Sequence, residues 1–177
     1  MIRWIKRALG FAAPERITAE LIERLPPAKL CRRFIDNQLA SDTEREVFDV
    51  LMCAVELHSE VLNGGFNQYY YNTDGERAER ARSAFARFGA DRTADVARRA
   101  DACYAACRDR LHAAWKEGTR AGFTLGYKAK IFDAFDREYY ALMKNDRQLY
   151  ELIGAYIKRH PQEFVTDGPE QGRSDET

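Results

Sequence analysis

The chain has 177 residues, a length typical of one domain that can bury its own core. Apolar side chains make up 45% of it and charged side chains 32%, which excludes a disordered or a membrane-spanning chain. Its 28 acidic and 28 basic side chains balance to a net charge of zero, which argues against a protein that binds nucleic acid directly.

The two ends of the chain differ from its middle. Residues 1–17 form a basic, weakly amphipathic segment without the long apolar run of a signal peptide or a transmembrane helix. A short docking helix or a loose tail is expected there. Residues 166–177 are polar and acidic, which predicts a disordered tail. Residues 18–165 are expected to form a helical domain.

Helical periodicity dominates that domain, and no proline interrupts it between Ala28 and His160. No strand alternation of useful length is present, so the expected fold is a single all-α bundle of six or seven helices. The predicted helices are residues 18–25, 28–39, one from Ser41 or Asp42 to Leu62, one from the turn Asn72-Thr73-Asp74-Gly75 to Gly89, and residues 93–115, 131–144 and 146–159.

The four cysteines do not form the disulfide framework of a secreted domain. Cys103 and Cys107 lie one helical turn apart, where a disulfide is geometrically poor, and Cys31 and Cys53 fall within apolar patterns. Reduced, mostly buried thiols in a cytoplasmic protein are therefore expected.

The run Asn63-Gly64-Gly65-Phe66-Asn67-Gln68 is the most unusual segment of the chain. Two adjacent glycines allow a sharp turn or a close approach of the backbone. The amides of Asn63, Gln68 and Asn72 and the ring of Phe66 could form a recognition loop. Alternatively, the run is a tight corner between two helices, whose amides satisfy the open helix ends. No strand or phosphate-loop spacing accompanies the glycines, so nucleotide binding is not indicated.

Four acidic residues recur at helical spacing on the helix that precedes this run, and they define an acidic row: Glu46, Asp49, Glu56 and Glu60. A solvated helix face is one interpretation. The other is a surface that offers carboxylates to a basic partner, since spaced carboxylates can imitate the phosphates of nucleic acid.

No arrangement in the sequence indicates catalysis, a metal or a cofactor. A dimetal site in a helical bundle needs a Glu-x-x-His pair on each of two helices, and only Asp109 and His112 approach that spacing. The nucleophile-elbow pattern is absent. His58 lies on the apolar face of its helix, which predicts a core histidine with its polar atoms satisfied.

Residues 60–72, from Glu60 through Asn72, resemble the signature of a bacterial domain family of unknown function that includes a DNA-mimic protein. Weaker similarity extends the resemblance to about residues 43–165. It implies an all-helical fold and no established catalytic activity. For the DNA-mimic member it implies a dimer whose acidic surface occupies a DNA-binding protein. This chain departs from that pattern because it is neutral and has many arginines in its middle.

These observations favour a non-enzymatic domain that binds a protein partner through the acidic row. In the more specific form of this hypothesis the partner is a DNA-binding regulator. The assembly considered for the chain itself is a homodimer. One alternative is a small-molecule-binding domain or an enzyme whose site lies at residues 63–72. Another is an immunity or antitoxin protein, which is the interaction hypothesis in a particular genetic setting.

Overall fold

The computed structural model of the protein describes residues 17–40 and 46–165, with residues 38–40 described by their backbone only. Residues 1–16, the predicted helix cap at Ser41 or Asp42 and the predicted acidic tail lie outside the described residues. No strand occurs within the described residues, which confirms the all-α prediction. The helices are α1 (Ala19–Arg24), α2 (Pro27–Ala40), α3 (Glu46–Thr73), α4 (Ala78–Arg87), α5 (Asp91–Trp115), α6 (Arg120–Phe123), α7 (Leu125–Lys128), α8 (Asp133–Leu142) and α9 (Asp146–Arg159), followed by a 3₁₀ turn at Pro161–Glu163.

The described residues divide into two compact units, one of residues 46–149 and the other of residues 17–40 and 150–165. The boundary falls inside α9. Among the described residues, no helix combines the length and the apolar composition needed to cross a membrane.

The unit that contains α1 and α2 follows its sequence signals closely. The Thr18 hydroxyl accepts a hydrogen bond from the Leu21 amide at 3.2 Å, so the predicted cap begins α1. Pro27 is the first residue of α2, where its missing N–H costs no helical hydrogen bond. The rings of Phe34 and Phe164 meet edge to face with centroids 5.3 Å apart, and both are buried.

The larger unit is built around an aromatic core. The ring of Tyr70 stacks on that of Tyr104 with centroids 4.1 Å apart and 4° between the planes. The Tyr70 hydroxyl donates to Asp101 Oδ1 at 2.6 Å, so its polar end is satisfied inside the core. The other fully buried aromatic side chains of this unit are Phe66, Tyr69, Phe85, Phe132 and Tyr139.

We predict that Gly154→Ala destabilises the unit that contains α2, although alanine is the better helix former by about 1 kcal/mol. Gly154 lies in α9 directly against the backbone carbonyl of Pro27, and a Cβ there would overlap that carbonyl. The two backbones would have to separate, at a cost of about 1–3 kcal/mol. Thermal unfolding followed by circular dichroism measures the effect. An unchanged or raised Tm would contradict the close approach.

Candidate functional site

The helix α3 is broken at the two glycines of the unusual run. Gly64 has φ −159° and ψ 28°, and Gly65 has φ 70° and ψ −177°, so the backbone leaves helical geometry there. The prediction that the helix ends at Asn63-Gly64 is confirmed. The sequence did not predict that a second helical segment begins at once with Phe66 and continues to Thr73. We refer to residues 63–72 as the corner.

Side chains from two other helices satisfy the polar backbone groups that the break exposes. The Phe66 amide, which begins the second segment, donates to Asp136 Oδ1 of α8 at 2.8 Å. The Gly64 carbonyl accepts from the Tyr127 hydroxyl of α7 at 2.6 Å. The Val61 carbonyl accepts from the Tyr140 hydroxyl of α8 at 2.8 Å. The corner is therefore held by side chains more than sixty residues away, as buried backbone groups require.

Asp136 also explains why position 65 requires a glycine. A Cβ on Gly65 would lie 2.5 Å from Asp136 Oδ2, so the carboxylate packs directly on the glycine backbone. The positive φ of Gly65 is a second reason, because side chains other than glycine rarely adopt it. Burial raises the pKa of Asp136 to about 6, against the opposing effect of the Phe66 amide, which favours the charged form.

Two side-chain amides of the corner span the break by donating hydrogen bonds to one acid of the acidic row. Glu60 Oε2 accepts from Gln68 Nε2 at 2.8 Å and from Asn72 Nδ2 at 2.7 Å, an arrangement that we call the Glu60 bridge. It joins the last turns of the first segment of α3 to the second segment. The structure thus brings Glu60, Gln68 and Asn72 together, whereas Asn63 is exposed beside them.

Two further acids of the row are paired with arginines of the same unit. Asp49 forms ion pairs with Arg77 and Arg80. Glu56 Oε2 lies 3.6 Å from Arg77 Nη1. Glu46 is exposed and has no ion pair with another described residue. The row is therefore a helix face whose carboxylates are mostly engaged within the chain.

His58 occupies the core position that the sequence predicts. It is 1% exposed, and its Nδ1 lies 3.1 Å from the Tyr139 hydroxyl. Its Nε2 lies 3.4 Å from Asp146 Oδ1. Burial lowers the pKa of His58, against the opposing effect of Asp146, so the neutral ring is favoured.

A surface depression of about 350 Å³ adjoins the end of the corner. Asp74 forms part of its wall and is fixed by hydrogen bonds from Arg108 and Tyr104, which lower the pKa of Asp74 to about 2. No three metal-ligating side chains converge in the described part of the chain. The depression is lined by Glu56, Tyr71, Asn72, Thr73, Asp74, Glu76 and Arg77.

Sequence reasoning missed Asp136, Tyr127 and Tyr140, which hold the corner. A signal for Asp136 was present, because it falls on the buried face of α8, at helical spacing from Phe132 and Tyr139. A carboxylate on an apolar face needs a donor, and this one finds a backbone amide. No comparable signal distinguishes Tyr127 or Tyr140 from other tyrosines.

Residues 37–160 match a family model described as DMP19-like protein. The match includes the whole corner, α7 and α8. No curated protein and no solved structure matches the chain.

We predict that Gly65→Ala destabilises the protein by about 2 kcal/mol or more, since the left-handed conformation alone costs about 1–2 kcal/mol and the new methyl group displaces the Asp136 carboxylate. Gly64→Ala is the matched control. Its φ suits any residue, and its Cβ meets only the Gln68 side chain, which can shift at the cost of one hydrogen bond of the Glu60 bridge, so the loss should be about 1 kcal/mol. Urea unfolding of the two variants measures the difference, and equal losses would contradict this account of the corner.

We predict that Asp136 makes the protein more stable at acidic pH. Its folded pKa of about 6 lies above its ordinary value of 3.8, so its contribution is complete below pH 3.8 and is lost as pH rises through 6. The Tm of the wild type minus that of Asp136→Asn should therefore fall between pH 4 and pH 6.5. The pKa of His58 is lowered, so its contribution to stability changes with pH in the opposite direction. Both proteins contain His58, so this contribution cancels in the difference between their Tm values. A flat difference would refute the raised pKa.

Proposed function

This chain belongs to the DMP19-like protein family, and on that premise we propose that it is a non-enzymatic protein-interaction domain. We propose further that its contact surface is the solvent-facing part of the corner together with Tyr140 of α8, which we call the corner surface. The corner surface consists of Asn63, Gln68, Tyr71, Asn72 and Tyr140.

The observation that supports this surface most strongly is the exposure of two tyrosines beside the corner. Tyr71 is 43% exposed and Tyr140 is 38% exposed, and they are the exposed large hydrophobic side chains of the described residues. Exposed Asn63 and Asn72 add amide donors and acceptors. Protein interfaces are enriched in tyrosine at their centres, with polar groups around them.

Both tyrosines are held in place before any partner arrives. The Tyr140 hydroxyl donates a hydrogen bond to the Val61 carbonyl. The Tyr71 ring meets the rings of Trp115 and Phe123 edge to face, with centroids 5.3 Å and 4.7 Å away. A ring with a fixed orientation loses little conformational entropy on binding, which favours affinity.

The acidic row supports a second form of the same proposal, in which the partner is a DNA-binding regulator and the carboxylates stand in for phosphates. Its support is weaker, because Asp49 and Glu56 already pair with arginines and Glu60 forms the bridge. A phosphate mimic needs carboxylates that remain free to meet the partner's cations. Glu46 is the acid of the row that best meets this requirement.

The depression beside Asn72 supports a different function, the binding of a small polar molecule. Its volume of about 350 Å³ falls at the lower end of ligand-site volumes, and its lining is rich in charged groups. Arg77 and Asp74 are both committed to ion pairs there, which leaves few free polar groups to select a ligand. The interaction proposal is therefore preferred.

The proposed setting is the bacterial cytoplasm, where a second copy of the chain or another protein could occupy the corner surface. An immunity or antitoxin role would use the same surface against a toxin encoded beside this chain. Sedimentation of the purified protein with and without the Asn72→Arg substitution distinguishes self-association from binding to another protein.

We predict that a photo-crosslinking amino acid placed at position 71 or 140 captures the same protein in cells. Adding Asn72→Arg should reduce each crosslink about tenfold, because a longer, charged side chain that the partner's surface does not accommodate costs about 1–2 kcal/mol at the centre of an interface. Ala86→Arg adds the same charge to an exposed position of α4 and should leave the crosslinks unchanged.

Glu46→Lys tests the acidic row in the same experiment. Loss of the crosslinked partner in Glu46→Lys, with retention in Asn72→Arg, would indicate that the partner binds the acidic row and not the corner surface. The absence of a common partner at positions 71 and 140 would contradict the corner surface.

A further inference from the structure

Two thiols lie together on α5, away from the corner residues described above. Cys103 and Cys107 are separated by one helical turn, so their side chains project from the same side of the helix. Both residues are half-buried and neither forms a disulfide. The β-carbons of residues four positions apart on a helix lie about 5–6 Å from each other, so the two sulfur atoms can approach the same bound atom.

The other two cysteines of the chain are in a different environment. Cys31 and Cys53 are both fully buried, and they lie on separate helices. Among the cysteines, only Cys103 and Cys107 thus combine a neighbouring thiol with access to solvent.

We propose that Cys103 and Cys107 form a two-sulfur binding site for soft, thiophilic ions, of which monosubstituted trivalent arsenic is the simplest probe. Thiolate sulfur prefers soft ions over hard ones. A rigid helix holds the two ligands in register, so the second sulfur binds at high effective concentration once the first is attached. The inference is independent of the interaction function proposed above.

The binding step is balanced without an oxidant. With phenylarsine oxide in its hydrated form, two arsenic–oxygen bonds break and two arsenic–sulfur bonds form. Each thiol proton leaves with one oxygen, so two molecules of water are released. Burial and the neighbouring Cys103 raise the pKa of the Cys107 thiol, so this thiol enters the step in its protonated form and releases its proton to the departing oxygen.

Cys103 also has a contact that orients it. Its sulfur lies 3.8 Å from the carbonyl oxygen of Ile131, which precedes α8. A bound ion would replace this weak contact with a sulfur–ion bond while the helix backbone stays in place.

Phenylarsine oxide added to the reduced, folded protein tests the site by intact mass spectrometry. We expect one adduct per chain with the mass of a doubly bonded arsenical. It should survive an excess of 2-mercaptoethanol and be removed by dithiothreitol, because only a dithiol competes with a chelate. Cys103→Ser and Cys107→Ser should each weaken binding about tenfold or more. Cys31→Ser is the matched control and should leave the adduct intact.

Circular dichroism of each variant verifies that it has folded. The proposal is overturned if the folded wild type forms no adduct. It is equally overturned if the monothiol removes the adduct as readily as dithiothreitol, or if either Cys103→Ser or Cys107→Ser binds the arsenical as tightly as the wild type.

Discussion

The interaction between the Asp136 carboxylate and the Phe66 amide is the constraint on which the corner depends. A helix that breaks inside a packed unit leaves backbone donors and acceptors that water cannot reach, and each one without a partner costs about 1–3 kcal/mol. Asp136 satisfies the first amide of the new segment and lies against the bare backbone of Gly65. The negative charge also suits the N-terminal end of a helix. One carboxylate therefore permits the chain to turn and to resume helical geometry within two residues.

The other features of the corner follow from that turn. Because the second segment begins so soon, Gln68 and Asn72 come within reach of Glu60, and the bridge closes over the break. The carbonyls at the end of the first segment, which lack helical partners, accept hydrogen bonds from the hydroxyls of Tyr127 and Tyr140. The same contacts that stabilise the break hold an exposed tyrosine in a fixed orientation. On the proposed function, structural and recognition roles are therefore combined in the same residues.

Acids of the row pair with arginines at the start of the next helix. Asp49 pairs with Arg77, which precedes α4, and with Arg80 of α4, and the ion pairs of Arg77 with Asp49 and Glu56 are only partly buried. Pairs of this kind contribute little to stability, about 0–1 kcal/mol each, but they remove free negative charge from the surface. This is the physical reason for preferring a tyrosine-rich contact surface to an anionic one.

The sequence by itself determined the helical class, most helix ends, the break at the glycines and the core position of His58. These features depend on local periodicity, capping residues and backbone freedom, which can be read along the chain. It could not determine that Glu60 joins Gln68 and Asn72, that Arg77 pairs with Asp49 and Glu56, or that Asp136 supplies the partner for Phe66. Those contacts join residues between eight and seventy positions apart, and only tertiary packing decides which helix faces meet. The sequence therefore identified the corner correctly, while the folded structure decided what holds it together and which of its side chains remain available to a partner.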